Sequence, residues 1–581
     1  MFLKNSSTTI KGKTYDNYKI VQSYREKGKI KHRTIVPLGK LTEEEAGRLR
    51  LALKAYSNPS IIVAPVDQIN VTEHLDFLEV AVLHQLWHQW ELDRFLKEER
   101  WVQAMVLNRC LLPVSKIQIK EWVAGTILPA YYSENILETN EFDVYRELDR
   151  FNRQEAELQS FLYKQLSNRF SLSEAVFYDI TSTYFEGAKC VLASYGYSRD
   201  HRPDRQQIVI ALMVTAQGYP FYWKVMDGST QDITTIKELM VETTERFGIK
   251  EGLLVMDRGM VSASNLELME GKWQYISAMD RDEIYNSLFF TATMPEPIKL
   301  ETFGETVKSL GFIPHDEQLF FQEFALANRR YILTVDEARL QQERLLLQQK
   351  LNKLEAWVKL KNQELAQAQK SRKKEVLQST IDSLLRGKRL SRLVAIDIAP
   401  LTLSLTNKKG KNRQVNSYQL SMRINETAYQ RELKLHGITC FITNTPAEKM
   451  SAAEVIRWYR RKNKVEEAFH EIKSHLQLRP LKLTREERVK AHVSICVLAY
   501  FFYNDMEQRL KGSGLSPEKA LNLLAKCQVN RIAFNSINQI KLDITEPSEK
   551  QLDILKMLDC EAVVDRKKIS KVLKKAENWL L

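Results

Sequence analysis

The stretch AVFYDITSTY at residues 175–184 is followed by QQIVIALMVTA at 206–216 and YPFYWKVM at 219–226, and then, after a polar interval, by GLLVM at 252–256. Each is rich in β-branched and aromatic residues and bounded by turn formers, so each reads as a strand. Gln217-Gly218 joins the second to the third as a hairpin turn, which makes the first three an antiparallel meander. A helical pattern from Ile233 to Phe247 stops at Gly248. After the strand Gly252–Met256 come a helical turn near Ser264–Met269 and a strand at Trp273–Ala278. The order is βββαβαβ, an α/β core.

Two aspartates stand out on this scaffold. Asp179 lies inside the first strand between Tyr178 and Ile180, where an unpaired charge is costly, so it needs a partner. Asp257 directly follows the apolar LLVM and precedes Arg258-Gly259, placing its carboxylate at a strand's carboxyl end, where open α/β sheets gather ligands. A third carboxylate, Glu466, sits in YRRKNKVEEAFHEIK at 459–473. At about 100° per residue, Tyr459, Lys462, Glu466 and Lys473 fall within roughly 60° of one another on a helix. Trp458, Val465, Phe469, Ile472 and Leu476 form the adjoining apolar stripe. No Pro or Gly interrupts 451–478; Thr445 or Ser451 offers an N-cap and Pro480 marks the stop. The βββαβαβ order with a following carboxylate-bearing helix matches the RNase H-like fold shared by ribonuclease H and many integrases and transposases.

Lys and Arg outnumber Asp and Glu by 86 to 73, a net +13, which points to a polyanionic partner. The six cysteines are scattered without a CxxC pair, so neither a zinc ribbon nor a disulfide framework is expected, and a reducing cytoplasm fits. The N-terminus lacks a signal-peptide apolar core. The longest apolar run, Val493 to Tyr503, is too short to span a bilayer, so no membrane is expected. No GxxxxGKS loop or GxSxG elbow is present, which argues against an ATP-driven motor and an α/β-hydrolase. His470 and His475 follow Glu466 and Glu471 by four residues, but their helical directions differ by about 140°, which argues against one shared metal site.

The pattern predicts a small β element at 1–42, with a turn at Gly28, and a helical region at 43–170, expected to bind DNA ends because a helical domain of this kind commonly precedes the core of proteins that recognise a DNA sequence. The core follows at 171–280 and resumes at 438–482, and a helical region occupies 483–581. Asp257 and Glu466 are 209 positions apart, leaving room for an insertion at 281–437. Within it, 335–386 predicts a long helix or helical hairpin with apolar Leu340, Leu347, Leu351, Leu354 and Val358; its flanks at 319–334 and 390–443 read as strands, so the insertion is expected to be mainly β.

With these residues in place, the chain resembles the DDE transposases of bacterial insertion sequences, in particular the insertion-sequence-four superfamily with its Tyr-x2-Arg-x3-Glu-x6-Lys signature. Here the pattern is Tyr459-x2-Lys462-x3-Glu466-x6-Lys473, with Lys in place of the usual Arg and with Arg460 and Arg461 beside it. YDITSTYFEG, GYSRDHRPDRQQ, the stretch ending KVMDGSTQD and VMDRGM follow the family's order, and the resemblance spans roughly 170–500. It implies that Asp179, Asp257 and Glu466 hold two Mg2+ ions per site, Mn2+ able to substitute. It also implies that Tyr459, Lys462, Lys473, Arg460 and Arg461 contact DNA. The implied activity is binding of an element's terminal inverted repeats, two-metal hydrolysis of phosphodiesters and joining of 3′-hydroxyl ends to target DNA, by a homodimer on double-stranded DNA in the bacterial cytoplasm. A basic loop with His201, Arg202 and Arg205 either approaches DNA or is merely solvated, and Arg258 either pairs with a carboxylate or contacts DNA. Two rival readings are a catalytically inactive transposase-derived DNA-binding protein and an RNase H-like nuclease without strand transfer.

Overall fold

The computed structural model describes residues 1–580 except 12, 59–60, 133–135, 171–174, 187–188 and 407–410. The expected start of the core at 171–174 therefore lies outside the described residues. The chain forms two compact units, one of residues 90–113 and 140–508, the other of 1–89, 114–139 and 509–581.

The larger unit is built on a nine-stranded sheet. Its first five strands are β1 (Ala175–Tyr184), β2 (Gln207–Thr215), β3 (Pro220–Asp227), β4 (Leu253–Met256) and β5 (Gln274–Ala278). They lie in the order β3-β2-β1-β4-β5, with β1–β2 and β2–β3 antiparallel and β1–β4 and β4–β5 parallel. This is the meander-then-crossover arrangement read from the sequence. β2 is buried at every position, as its unbroken apolar text requires of a strand covered on both faces. On the neighbouring β3, Trp223 is pinned by its backbone carbonyl to Gln159 and by its indole N–H to Ser494.

Beyond β5 the chain adds β6 (Ile313–Pro314), β7 (Leu319–Leu326), β8 (Arg329–Asp336), β9 (Val394–Thr406), β10 (Asn412–Ile424) and β11 (Ile438–Thr443). β11 pairs with β5, β8 with β11, β7 with β8 and β6 with β7, so these four strands extend the same sheet, while β9 and β10 form a separate two-stranded sheet. The segment 281–437 is thus not the mainly β insertion expected. It carries more helix than strand, and β7 and β8 join the core sheet rather than a sheet of their own. Its helical part is a 30-residue helix, Glu337–Ala366, followed by Lys374–Leu384. Leu347, Leu351, Leu354 and Val358 pack on Val394, Ile396 and Leu420 of the β9–β10 ribbon. The apolar stripe is therefore satisfied within the chain by a β ribbon.

In the smaller unit, Phe2–Ile10, Lys13–Glu26 and Lys29–Gly39 form an antiparallel sheet. A helix, Glu43–Ser57, follows, started by a reciprocal capping box between Thr42 and Glu45. The regions 43–170 and 483–581, expected to be helical, each supply strands: Ile69–Leu75 pairs with Val529–Phe534, which pairs with Gln539–Ile544. These segments are only six or seven residues long between strong helical signals, and the first lies more than 450 positions from its partner. All six cysteines are buried. Among the described residues no helix is long and apolar enough to cross a membrane.

Candidate active site

Parallel pairing of β1 with β4 matches Phe177 to Val255 and Tyr178 to Met256. Carried one residue further, that register sets Asp179 level with Asp257, on neighbouring chains about 5 Å apart. Asp257 has just left β4 and opens a short 3-10 turn, Arg258–Met260, with its own carbonyl accepting from the Met260 N–H.

The third carboxylate arrives on a helix that is not continuous. Ala452–Arg461 begins with a Ser451/Glu454 capping box, and a second helix, Asn463–Lys473, follows after a break at Lys462. At the break the Lys462 N–H bonds to Tyr459 O, and Val465 N–H to Lys462 O, a local tightening to three-residue turns. Val465, Phe469, Ile472 and Leu476 are buried as the stripe predicted. Tyr459 packs its ring on Phe441 of β11, with centroids 4.8 Å apart, and Trp458 faces Phe177 of β1. These contacts lay the first helix against the sheet.

There the side chains converge. The Lys462 ammonium is ion-paired with Glu466 and lies 3.8 Å from Asp257 Oδ1, while the Tyr459 hydroxyl donates to Asp257 Oδ1 at 3.4 Å. The Lys462 side chain is 7% exposed, whereas Asp257 and Glu466 are about half exposed, so the cation is the inner member and two carboxylates face outward. Burial raises the Asp179 pKa to about 6; Lys462 partly offsets this, and the charges of Asp257 and Glu466 reinforce it. Burial lowers the Lys462 pKa, but Asp179, Asp257 and Glu466 outweigh it and the net shift is upward. The Tyr459 hydroxyl is held well above its usual range, by burial first and then by Asp257 and Glu466.

The other residues singled out from sequence lie elsewhere. Lys473 is buried and donates to Asp200 Oδ1 at 2.9 Å, and Arg479 reaches the same oxygen at 2.7 Å. Burial lowers the Lys473 pKa against the pull of Asp200. Arg460 is drawn to Asp316 at 3.3 Å, and Arg461 lies over the Trp458 ring. Arg258 is exposed. Arg202 pairs with Asp204 and stacks over Tyr184, and Arg205 also faces Asp204. His470 is near Glu471, and His475 bonds to the Tyr503 hydroxyl, so the two histidines have separate partners.

Asp200 was not anticipated, nor was Arg199, which grips Asp232 with its guanidinium while its N–H donates to Ser182 Oγ. The only sequence signal is their place in SRD, a loop otherwise read for its cations. Gly228 explains how that loop is fixed: a Cβ there would lie 2.0 Å from Gln207 O and 2.6 Å from Ser194 O.

The residues present suit a divalent cation by their chemistry. Asp179, Asp257 and Glu466, from three separate chain segments, carry the hard oxygen donors such an ion prefers, and Asp257 and Glu466 both lie by the Lys462 ammonium. Among the described residues, no three His, Cys, Asp or Glu side chains are drawn to metal-ligating distance. With Lys462 between them, the carboxylates have no need to close further.

This site and fold define a nucleic-acid-processing class, and comparison with known families makes the assignment specific. Residues 173–502, more than half of the chain, match the family described as Transposase DDE domain, and the chain belongs to that family of DDE transposases. Residues 3–60 match the IS1634 family transposase, N-terminal domain. A search of curated proteins found no match. Solved structures with some likeness include a piggyBac transposase synaptic complex with hairpin DNA (TM-score 0.32, 10% identity, covering 74% of this chain and 70% of that one). Another is a Mos1 transposase paired-end complex with left transposon end (TM-score 0.13, 11% identity, 41% and 67%). Neither is close enough to carry an argument.

Proposed function

We propose that the chain binds the terminal inverted repeats of an insertion sequence, hydrolyses phosphodiester bonds at those ends and joins the resulting 3′-hydroxyls to target DNA. The observation that carries this reading is the convergence of Asp179, Asp257 and Glu466 around Lys462 on a β3-β2-β1-β4-β5 sheet. Within the transposase family, the Tyr459-x2-Lys462-x3-Glu466-x6-Lys473 spacing supports the insertion-sequence-four branch.

Asp179, Asp257 and Glu466 would hold two Mg2+ ions, or Mn2+, and these supply the charge that activates the attacking oxygen and stabilises the leaving 3′ oxygen. Lys462 is near enough to turn its ammonium from the carboxylates to a phosphate beside the scissile bond, and the Tyr459 hydroxyl is a second donor to the same backbone. Asp179 would supply the innermost of the three carboxylates. In the first step water displaces the 3′ oxygen from phosphorus; in the second that 3′-hydroxyl attacks target DNA, so no covalent protein intermediate forms. Pairing two ends calls for at least two protomers, and the working place is the bacterial cytoplasm, on DNA.

The test is cleavage of a labelled duplex carrying the element's own terminal repeat, with Mg2+ or Mn2+, by the native chain and by Asp257→Ala and Glu466→Ala. Nicking at the repeat boundary that both substitutions abolish while binding survives supports the reading. Cleavage without strand-transfer products reduces the protein to a nuclease, and tight binding without cleavage under either metal makes it an inactive DNA-binding relative.

A further inference from the structure

The net charge of this protein is concentrated at one end. Residues 1–40 hold ten Lys and Arg against two Asp and Glu, a net +8 of the chain's +13. That segment is the three-stranded sheet, and its strands differ in length. Phe2–Ile10 pairs only with Lys13–Val21, whereas Tyr18–Glu26 pairs with Lys29–Gly39. Residues 22–26 and 29–33 therefore have no third strand and extend as a two-stranded ribbon. Every side chain from Gln22 to Arg33 is exposed. The tip is a two-residue turn in which Lys27 (φ 48°) and Gly28 (φ 76°) are both left-handed, the turn that matches strand twist.

We propose that this ribbon enters the major groove of duplex DNA and is a docking surface separate from the carboxylate site. This rests on the reading that the chain acts on DNA ends. Two strands lie about 5 Å apart, and a ribbon of that width fits a groove about 12 Å wide. Arg25, Lys27, Lys29, Lys31 and Arg33 face a single acid, Glu26, which is ion-paired with Lys31. The register argues for DNA over a lipid surface. Tyr24 stands opposite Lys31 and Arg25 opposite Ile30, so each face mixes cations with apolar groups. A lipid-binding element would segregate them. Gln22 lies opposite Arg33 on the face shared with Tyr24, Lys29 and Lys31, which offers donors and acceptors for base edges, while Arg25 on the other face, opposite Ile30, would reach a phosphate at the groove's rim, so both faces carry charge toward the DNA.

The experiment uses the full chain, native and with Arg25→Ala, Lys29→Ala and Arg33→Ala combined. Binding is measured between 50 and 200 mM KCl to a duplex carrying the terminal repeat and to a shuffled duplex of the same composition. Losing three phosphate contacts makes the slope of log affinity against log salt shallower by about 2.7. Over that salt range the native affinity then falls about 40-fold more than the variant's. Guanine N7 methylation interference at the repeat is expected with the native chain and lost with the variant. A second variant, Arg25→Lys, Lys29→Arg and Arg33→Lys, is expected to keep the native slope, which separates charge from misfolding.

An unchanged slope and interference pattern in the alanine variant would overturn the proposal. So would loss of binding to phosphatidylserine vesicles with DNA binding intact. The two proposals fail separately: a chain that cleaves the repeat but ignores the ribbon substitutions refutes only the ribbon, and one that needs the ribbon to bind but never cleaves refutes only the carboxylate site.

Discussion

Asp200→Asn isolates a contact on which the geometry of the catalytic helix depends. The native carboxylate is 4% exposed and sits 2.9 Å from the Lys473 ammonium and 2.7 Å from the Arg479 guanidinium. Its second oxygen, Oδ2, is buried without a hydrogen bond among the described residues. The amide keeps the shape and removes the charge. Lys473, itself 9% exposed, then remains buried beside Arg479 with no counter-charge. Stranding one partner of a buried pair costs about 3–5 kcal/mol. Because the chain has two units, the measurement should be local. Hydrogen exchange on peptides covering 463–481 should lose protection by roughly two to three orders of magnitude, while peptides of the 2–39 sheet stay unchanged. Adding Lys473→Met removes the stranded cation and should restore about 2 kcal/mol of the loss, since an ion pair replaced on both sides is nearly neutral. If Asp200→Asn changes local protection by less than tenfold, or if Lys473→Met brings no recovery in that background, the buried pair is not what holds this helix. Lys473 would then be free for the phosphate contact expected from sequence.

Gly228→Ala should prevent the 189–206 loop from docking, because its Cβ would meet the Gln207 and Ser194 carbonyl oxygens at 2.0 and 2.6 Å; expression in soluble form, or a melting temperature several degrees low, checks this. Gly47→Ala, a helical position with nothing within 4 Å, should instead gain up to about 1 kcal/mol. Glu147, whose Oε2 caps the Trp101 and Val102 N–H groups, has its pKa raised from 4.5 to about 8 by burial and by Glu99. A raised carboxylate contributes stability that is complete below about pH 4.5 and lost as pH climbs through about 8, up to roughly 4 kcal/mol. Glu147→Gln should therefore flatten the fall in stability between pH 5 and 8, as read from urea midpoints at each pH. Lys462→Met should lower the melting temperature in EDTA, since it removes the ammonium that is paired with Glu466 and lies 3.8 Å from Asp257, leaving those acids without a counter-charge. Adding Mg2+ should raise it again by more than it does for the native chain; equal responses would argue against a shared cation position.

The parts of this architecture that local text controls were legible. Alternating β-branched runs and a Gln-Gly turn specify the meander, and an aspartate inside AVFYDITSTY or at the end of LLVM is conspicuous because few strands tolerate one there. That Asp179 and Asp257 come level is a matter of register, which is fixed by pairing between strands 78 positions apart and has no local signature. The break at Lys462 was likewise invisible, since neither Pro nor Gly marks it and it coincides with a side chain engaged by carboxylates distant in sequence as well as near. Lys473 was placed on the right helical face, but about 10 Å along the axis from Glu466, and its partner Asp200 lies 273 positions away in a loop. The insertion was misread as mainly β because its strands, though real, are outnumbered by helical residues between them and are captured by the core sheet.

The lysine at position 462, where the signature this sequence resembles has arginine, acquires a physical rationale from the cluster. Guanidinium is a planar fork that commits to one carboxylate through two parallel bonds. An ammonium is a compact charge on a flexible stem and can be shared. Here the shared geometry is what the structure displays: Glu466 bonded to it, Asp257 at 3.8 Å, and Asp179 close enough to feel its charge. A compact cation beside two half-exposed acids, bidentate to neither, offsets their charge without committing to one of them. Because the ammonium is nearly buried while the carboxylates face solvent, replacing lysine with arginine at 462 would have to fit a larger planar group into the same buried space, which is why the shorter reach of the ammonium suits this position.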